Sequence, residues 1–171
     1  AKTPAASQRQ KLLRSSVFDG GLVAASRQRP CLPLGPKYVV APVEEIPPGG
    51  RKLVEVRGRP IVIFNLDGEY FGMLDRCPHQ GGSLCEGHLI GLVEASQPGE
   101  YRFSRQNEIV RCPWHGWEFD ICTGQSMCEP DRIKATRYDV GVEAGATVTD
   151  GPYVAETFDV TVEERYVVVE I

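Results

Sequence analysis

From residue 37 onward the apolar side chains fall in short β-branched runs, without the rhythm of a long amphipathic helix. "KYVVAPV", "RKLVEVRG" and "PIVIFNL" are of strand length, punctuated by "PPGG" and by the Gly58–Pro60 region. In "NLDGEYFGML" the pair Asp67–Gly68 stands between two apolar runs, which predicts a hairpin, because so tight a turn needs positive φ. Strands are expected near "LIGLVEA" and "YRFSRQNEIVR", on either side of a turn at "QPGE". "GWEFDICTG" reads as strand and turn, and "RYDVGVE", "PYVAETFDVTVE" and "RYVVVEI" supply the closing strands. The likeness of "RYDVGVE" to "TFDVTVE" is too short to make a repeat architecture. The pattern predicts an all-β domain over residues 37–171.

Residues 1–36 differ. They carry six basic side chains (Lys2, Arg9, Lys11, Arg14, Arg27, Arg29) against Asp19 alone, a net of +5. The whole chain stands at −4, so the remainder carries −9. "AKTPAASQRQ" has the composition of a disordered stretch, and "QRPCLPLGP" that of an extended linker. The expectation is a basic, Pro-containing tail that wraps loosely on the body. The competing reading is an arm that docks on an acidic partner or a second copy.

The 171 residues suffice for one domain with a buried core plus this tail. Net negative charge argues against nucleic acid as the main partner. The longest apolar runs, such as "IVIF", fall far short of the ~20 residues of a membrane span, so none is expected. No signal-peptide core precedes a cleavage site, although a leader removed ahead of Ala1 stays open, and the expected compartment is the cytoplasm.

Six cysteines (31, 77, 85, 112, 122 and 128) would allow three disulfides, but a chain of this length does not need staples. Two of them have histidines close behind. "CPHQGGSLCEG", residues 77–87, offers Cys77 and His79, and "CPWHGWEFDICTG", from residue 112, offers Cys112 and His115. The spacing is C-x-H, 32 intervening residues, then C-x-x-H. Thiolates and neutral imidazoles suit iron or zinc. Gly81 and Gly82 leave space for the opposing loop, and Pro78 and Pro113 stiffen each turn. One zinc would take all four donors in a tetrahedron, yet zinc sites commonly use C-x₂₋₄-C and H-x₃₋₅-H pairs. Mixed pairs match a two-iron cluster held by two cysteines on one iron and two histidines on the other.

These two loops closely resemble those of Rieske [2Fe–2S] domains, nearest to Rieske-type ferredoxins and to the Rieske domains of ring-hydroxylating oxygenases. The resemblance covers about residues 37–171. It implies a fold of three antiparallel sheets, with one cluster per chain in a small subdomain made of loops 77–87 and 112–124. It implies that Cys77 and Cys112 bind an inner iron, and that His79 and His115 bind an outer iron near the surface. Two stretches are extensions relative to the family, around "GLVEASQPGEYRFSRQ" and "AGATVTDGPYVAE". The first reads as an elongated hairpin, and added loop length costs little stability.

Respiratory-complex Rieske proteins have a further disulfide between the loops, with one cysteine just before the second histidine; here that position is Trp114. Cys85 and Cys122 are accordingly expected to be buried free thiols. High-potential members resemble one another in serine and tyrosine hydroxyls directed at cluster sulfurs. At the corresponding places this chain has Trp117 and Phe119, so the expected potential is roughly −150 mV, the low end of the Rieske range. Trp114 and Trp117, flanking His115, are expected to pack around the cluster and exclude water, or else to face a partner.

A mononuclear oxygenase site needs two further histidines and a carboxylate, and His88 is the one histidine left, expected to be an ordinary loop residue. The reading is therefore a one-electron carrier with no substrate of its own, taking electrons from a flavin reductase and passing them to an oxygenase. One alternative is a small Rieske subunit of a larger oxidoreductase; a more remote one is a zinc-stabilised binding module.

Overall fold

In the computed structural model the described residues are 35–155, 160–161 and 163–171. The basic tail, apart from Gly35 and Pro36, lies outside them, as do residues 156–159 and 162 of the strand expected at "PYVAETFDVTVE". The elements are β1 (Lys37–Pro42), β2 (Arg51–Val56), β3 (Arg59–Leu66), β4 (Glu69–Leu74), β5 (His88–Gln97), β6 (Glu100–Arg111), β7 (Glu118–Asp120), β8 (Arg137–Ala144), α1 (Gly145–Asp150), β9 (Tyr153–Ala155) and β10 (Arg165–Glu170). They form a seven-stranded sheet, ordered β2-β3-β4-β8-β10-β1-β9, and a three-stranded sheet, ordered β5-β6-β7. The three expected groups of strands are present, with two of them fused. β8 pairs with β4 through Tyr138 and Arg137, and with β10 from Asp139 to Ala144. The pairings are antiparallel except that of β1 with the short edge strand β9.

β3 is a continuous apolar run because both of its faces are covered. Ile61, Val62, Ile63 and Phe64 are all 0% exposed. Side chains alternate across a strand, so Val62 and Phe64 enter one core with Leu84, Phe119 and Ile121, while Ile61 and Ile63 enter another with Tyr38, Val40, Val167 and Val169. Each such side chain contributes about 1.5–3 kcal/mol. The expected hairpin is formed at Asp67 (φ 50°) and Gly68 (φ 96°). The amide of Gly68 donates to Asn65 Oδ1 at 2.7 Å, and Asn65, 2% exposed, donates to the Ile46 carbonyl at 2.6 Å.

Two features depart from the sequence expectation. "GATVTD" forms the six-residue helix α1, anchored by Val148 against Val39, Tyr166 and Val168. At its start a Cβ on Gly145 would lie 1.8 Å from the Thr161 carbonyl oxygen. The β5–β6 hairpin turns at "QPGE" as expected, with Gly99 at φ 90°. It carries a large bulge: Ile90 pairs with Ile109 but Leu92 with Ser104, and Arg105 and Asn107 adopt positive φ. β7 reaches only Ile109–Arg111 of β6. Beyond the bulge the hairpin is a two-stranded ribbon with Val93, Tyr101 and Phe103 exposed.

A candidate metal centre between two loops

The loops after β4 and β6 repeat one backbone pattern. The Cys77 carbonyl accepts from the Gly81 amide (2.8 Å), and the Cys77 amide donates to the Gly82 carbonyl (2.8 Å). Likewise the Cys112 carbonyl accepts from the Gly116 amide (3.1 Å), and the Cys112 amide donates to the Trp117 carbonyl (2.7 Å). In each loop the glycine four residues after the cysteine closes the turn with positive φ, 86° at Gly81 and 70° at Gly116. Proline follows each cysteine, where its fixed φ suits the turn.

The turns sort their side chains by depth. Cys77 and Cys112 are each 2% exposed, whereas His79 and His115 are exposed. Burial pushes the Cys77 thiol up from its ordinary value, and the neighbouring Cys112 thiol, within hydrogen-bonding reach, adds to the effect. The two imidazoles meet edge to face, with ring centroids 4.9 Å apart. Trp117, half-buried, stacks on His79 at 5.1 Å and on Phe119 at 6.4 Å. Trp114 stands edge-on to His115 at 6.4 Å and is 60% exposed, so it covers the site on one side only. A Cβ on Gly82 would lie 3.0 Å from both Cys112 Sγ and Trp114 Cγ, which is why the first loop needs glycine where the second crosses it.

A second set of side chains fixes the loops. The Asp75 carboxylate accepts from Ser83 Oγ (2.8 and 3.1 Å) and from the Cys85 amide (2.6 Å). Arg51 Nη1 donates to the Gly87 carbonyl at 2.6 Å. Behind the second loop, Asp120 Oδ1 accepts from the Thr123 amide (2.8 Å), and its Oδ2 accepts from Arg105 Nη2 (2.6 Å). Arg105 also donates to Glu108 (2.8 Å), and Asp120 first, then Glu108, raise the guanidinium above its ordinary pKa. The bulge in β6 thus turns Arg105 onto the turn behind the second loop. Sequence reasoning missed these residues. Asp75 sits two positions before Cys77, but nothing in the pattern marks it, and Arg105 reaches Asp120 through a backbone conformation that non-glycine residues seldom take.

All four expected ligands come to one place, as a buried thiol pair and an exposed imidazole pair. Among the described residues no three His, Cys, Asp or Glu side chains converge as ligands of a single ion. Two buried thiols must lose their protons to bind metal, and burial opposes that unless a cation compensates. The donor set therefore fits a centre of two metal atoms, with thiolates inside and imidazoles outside, better than one zinc. Cys85 and Cys122 prove half-buried instead of buried, and Cys77, Cys85, Cys112 and Cys128 form no disulfide. His88 is exposed at the start of β5.

The profile of the Rieske [2Fe–2S] domain family matches residues 36–139. The chain belongs to this family. Its cofactor is accordingly a [2Fe–2S] cluster. This Rieske chain is 35% identical over 106 residues to the 3-phenylpropionate/cinnamic acid dioxygenase ferredoxin subunit of Photorhabdus laumondii, covering 62% of this chain and 86% of the relative. The subunit of that name from Escherichia coli is 30% identical over 117 residues, covering 68% and 94%. The structure of the Sphingomonas yanoikuyae B1 ferredoxin shares the fold, with a TM-score of 0.50 and 23% identity over 78% of this chain and 96% of that one. β10, which lies beyond the matched residues, completes the Rieske chain's larger sheet between β8 and β1.

Proposed function

We propose that this Rieske protein is a one-electron carrier that takes electrons from a flavin-containing reductase and delivers them to a ring-hydroxylating oxygenase. Cys77 and Cys112 would hold the inner iron, and His79 and His115 the outer iron. The observation that carries this reading is the sorting by depth of two cysteines and two histidines on loops of one backbone pattern. When bound, the cluster supplies a centre that gains or loses a single electron. The protein holds the thiolates away from water, and Trp117 and Gly82 close the space around them. The imidazole edges, left at the surface, are the nearest protein groups to a docked partner. A mononuclear oxygenase site has no ligands here, because His88 alone is left of three histidines. The relatives named as dioxygenase ferredoxin subunits support an oxygenase as acceptor.

The cluster domain is assigned to residues 37–171, with loops 77–87 and 112–124 as its binding tip. A cytoplasmic site of action agrees with Cys85 and Cys128, which form no disulfide. Among the described residues no helix is long and apolar enough to cross a membrane. The exposed Val93, Tyr101 and Phe103 favour a second reading, a Rieske subunit held in a larger oxidoreductase.

The test is electron paramagnetic resonance of the dithionite-reduced protein, with iron and sulfide assayed on the same sample. A [2Fe–2S] signal of low average g is expected, abolished by Cys77→Ser or Cys112→Ser and untouched by His88→Ala. One zinc per chain and no signal would refute the assignment. Co-purification with a fixed partner would select the subunit reading.

A further inference from the structure

Beside His79 the first cluster loop walls an open recess of about 470 Å³, which also takes in Arg76, Lys134 and Thr136. Its lining holds two cationic side chains and no carboxylate. The Arg76 side chain lies over the loop itself, since a Cβ on Gly81 would be 3.3 Å from Arg76 Nε. Lys134 comes from the segment after the second loop, placed there by a bridge to Gln125 and by the bond from the Ala135 amide to the Gly124 carbonyl (2.8 Å). The bond from the Leu74 amide to the Thr136 carbonyl (2.9 Å) ties that segment to the first loop.

Neither Arg76 nor Lys134 makes an ion pair with any described residue, although most arginines near the cluster loops do. Asp75, the nearest acid in sequence, turns its carboxylate to Ser83 and Cys85 instead. The surroundings run the other way, because residues 37–171 carry 13 Lys and Arg against 22 Asp and Glu. A predominantly acidic body thus keeps two cations that have no ion pair among the described residues beside an exposed histidine of the metal centre.

We propose that this recess receives a carboxylate of the redox partner, an Asp or Glu side chain at the rim of the partner's own electron entry. The inference rests on the electron-carrier reading. The guanidinium offers a fork that fits a carboxylate, and the ammonium a point charge beside it. Electron-transfer interfaces are small and weak, so two charges at the exit suffice to orient the encounter and set its rate. The acidic remainder of the surface disfavours acidic partners approaching elsewhere.

Small inorganic oxidants probe the charge at the exit without the partner in hand. The reduced holoprotein is mixed in stopped flow with ferricyanide, a trianion, or with tris(1,10-phenanthroline)cobalt(III), a trication, over a range of ionic strength. The ferricyanide rate is expected to fall as salt rises, in spite of the chain's net charge of −4. With the oxidant about 10 Å from each cation, Arg76→Gln with Lys134→Gln should slow ferricyanide about fivefold at ~0.1 M ionic strength. The cobalt complex should not slow, so the ratio of the two rates drops by more than about tenfold, and a change of driving force largely cancels in that ratio. A control pair, Arg57→Gln with Arg165→Gln, makes the same change in net charge and should leave the ratio within about twofold. A ratio unchanged in the recess variant, or changed equally in the control, overturns the inference. If the reduced protein lacked a Rieske signal, the carrier reading itself would fall.

Discussion

Replacing Asp75 by alanine tests whether the first cluster loop is shaped by the protein or by its metal. The side chain accepts from Ser83 Oγ and from the Cys85 amide, at 2.8 and 2.6 Å. Hydrogen bonds to a charged acceptor contribute about 1.5–3 kcal/mol each, and both here are only part-buried, so we take the lower half of that range. Asp75→Ala should then cost about 3–4.5 kcal/mol, a fall in melting temperature of about 9–14 °C for a unit of this size. Asp75→Asn keeps one carbonyl acceptor for the amide of Cys85 and should lose about half as much. The assay is thermal unfolding of the holoprotein followed in parallel by far-ultraviolet circular dichroism and by the visible absorbance of the cluster. Ser83→Ala in both backgrounds closes a double-mutant cycle, whose coupling should be about 1 kcal/mol. If Asp75→Ala melted within 2 °C of the parent and kept its colour equally long, the loop would owe its shape to the metal alone.

Gly82→Ala should lower the iron content of the purified protein and destabilise it by about 1–3 kcal/mol, because the added methyl meets Cys112 Sγ and Trp114 Cγ at 3.0 Å. Iron and sulfide per chain check this, and full occupancy with unchanged stability would contradict it. The reduction potential should lie near −150 mV, since Trp117 and Phe119 give the cluster no hydroxyl donor; a redox titration above about +100 mV would defeat the argument. Arg105→Gln removes the guanidinium that pairs with Asp120, 8% exposed, and with Glu108, and should cost about 1–2 kcal/mol in denaturant unfolding with the paramagnetic spectrum unchanged.

Short β-branched runs between turn residues made most strands legible, because their side chains answer to local burial. β3 and β10 stand out as near-continuous β-branched runs, and Asp67–Gly68 marks its turn by its own backbone preference. The four candidate donors were legible for the same reason: each pair is local, and proline and glycine mark the loops. What the sequence hid depends on partners distant along the chain. The fusion of two sheets through β8 and the parallel pairing of β9 with β1 are tertiary choices with no local signature. α1 forms in a stretch of modest helix propensity because Val148 finds a core to enter. Arg76 and Lys134 stand 58 positions apart and share a recess only once both loops are folded.

The double service of β3 has a consequence for how the protein comes apart. Its alternate side chains are the shared wall of the core under the metal loops and the core of the larger sheet. Opening either side strips cover from the same strand, so the loops cannot be released cheaply as a subunit of unfolding. Amide protons of residues 61–64 should exchange with solvent only through global opening, while those of the distal ribbon exchange through local fraying. A chain built this way lets its distal ribbon yield first, and keeps the core beneath its two loops on a seam that yields last.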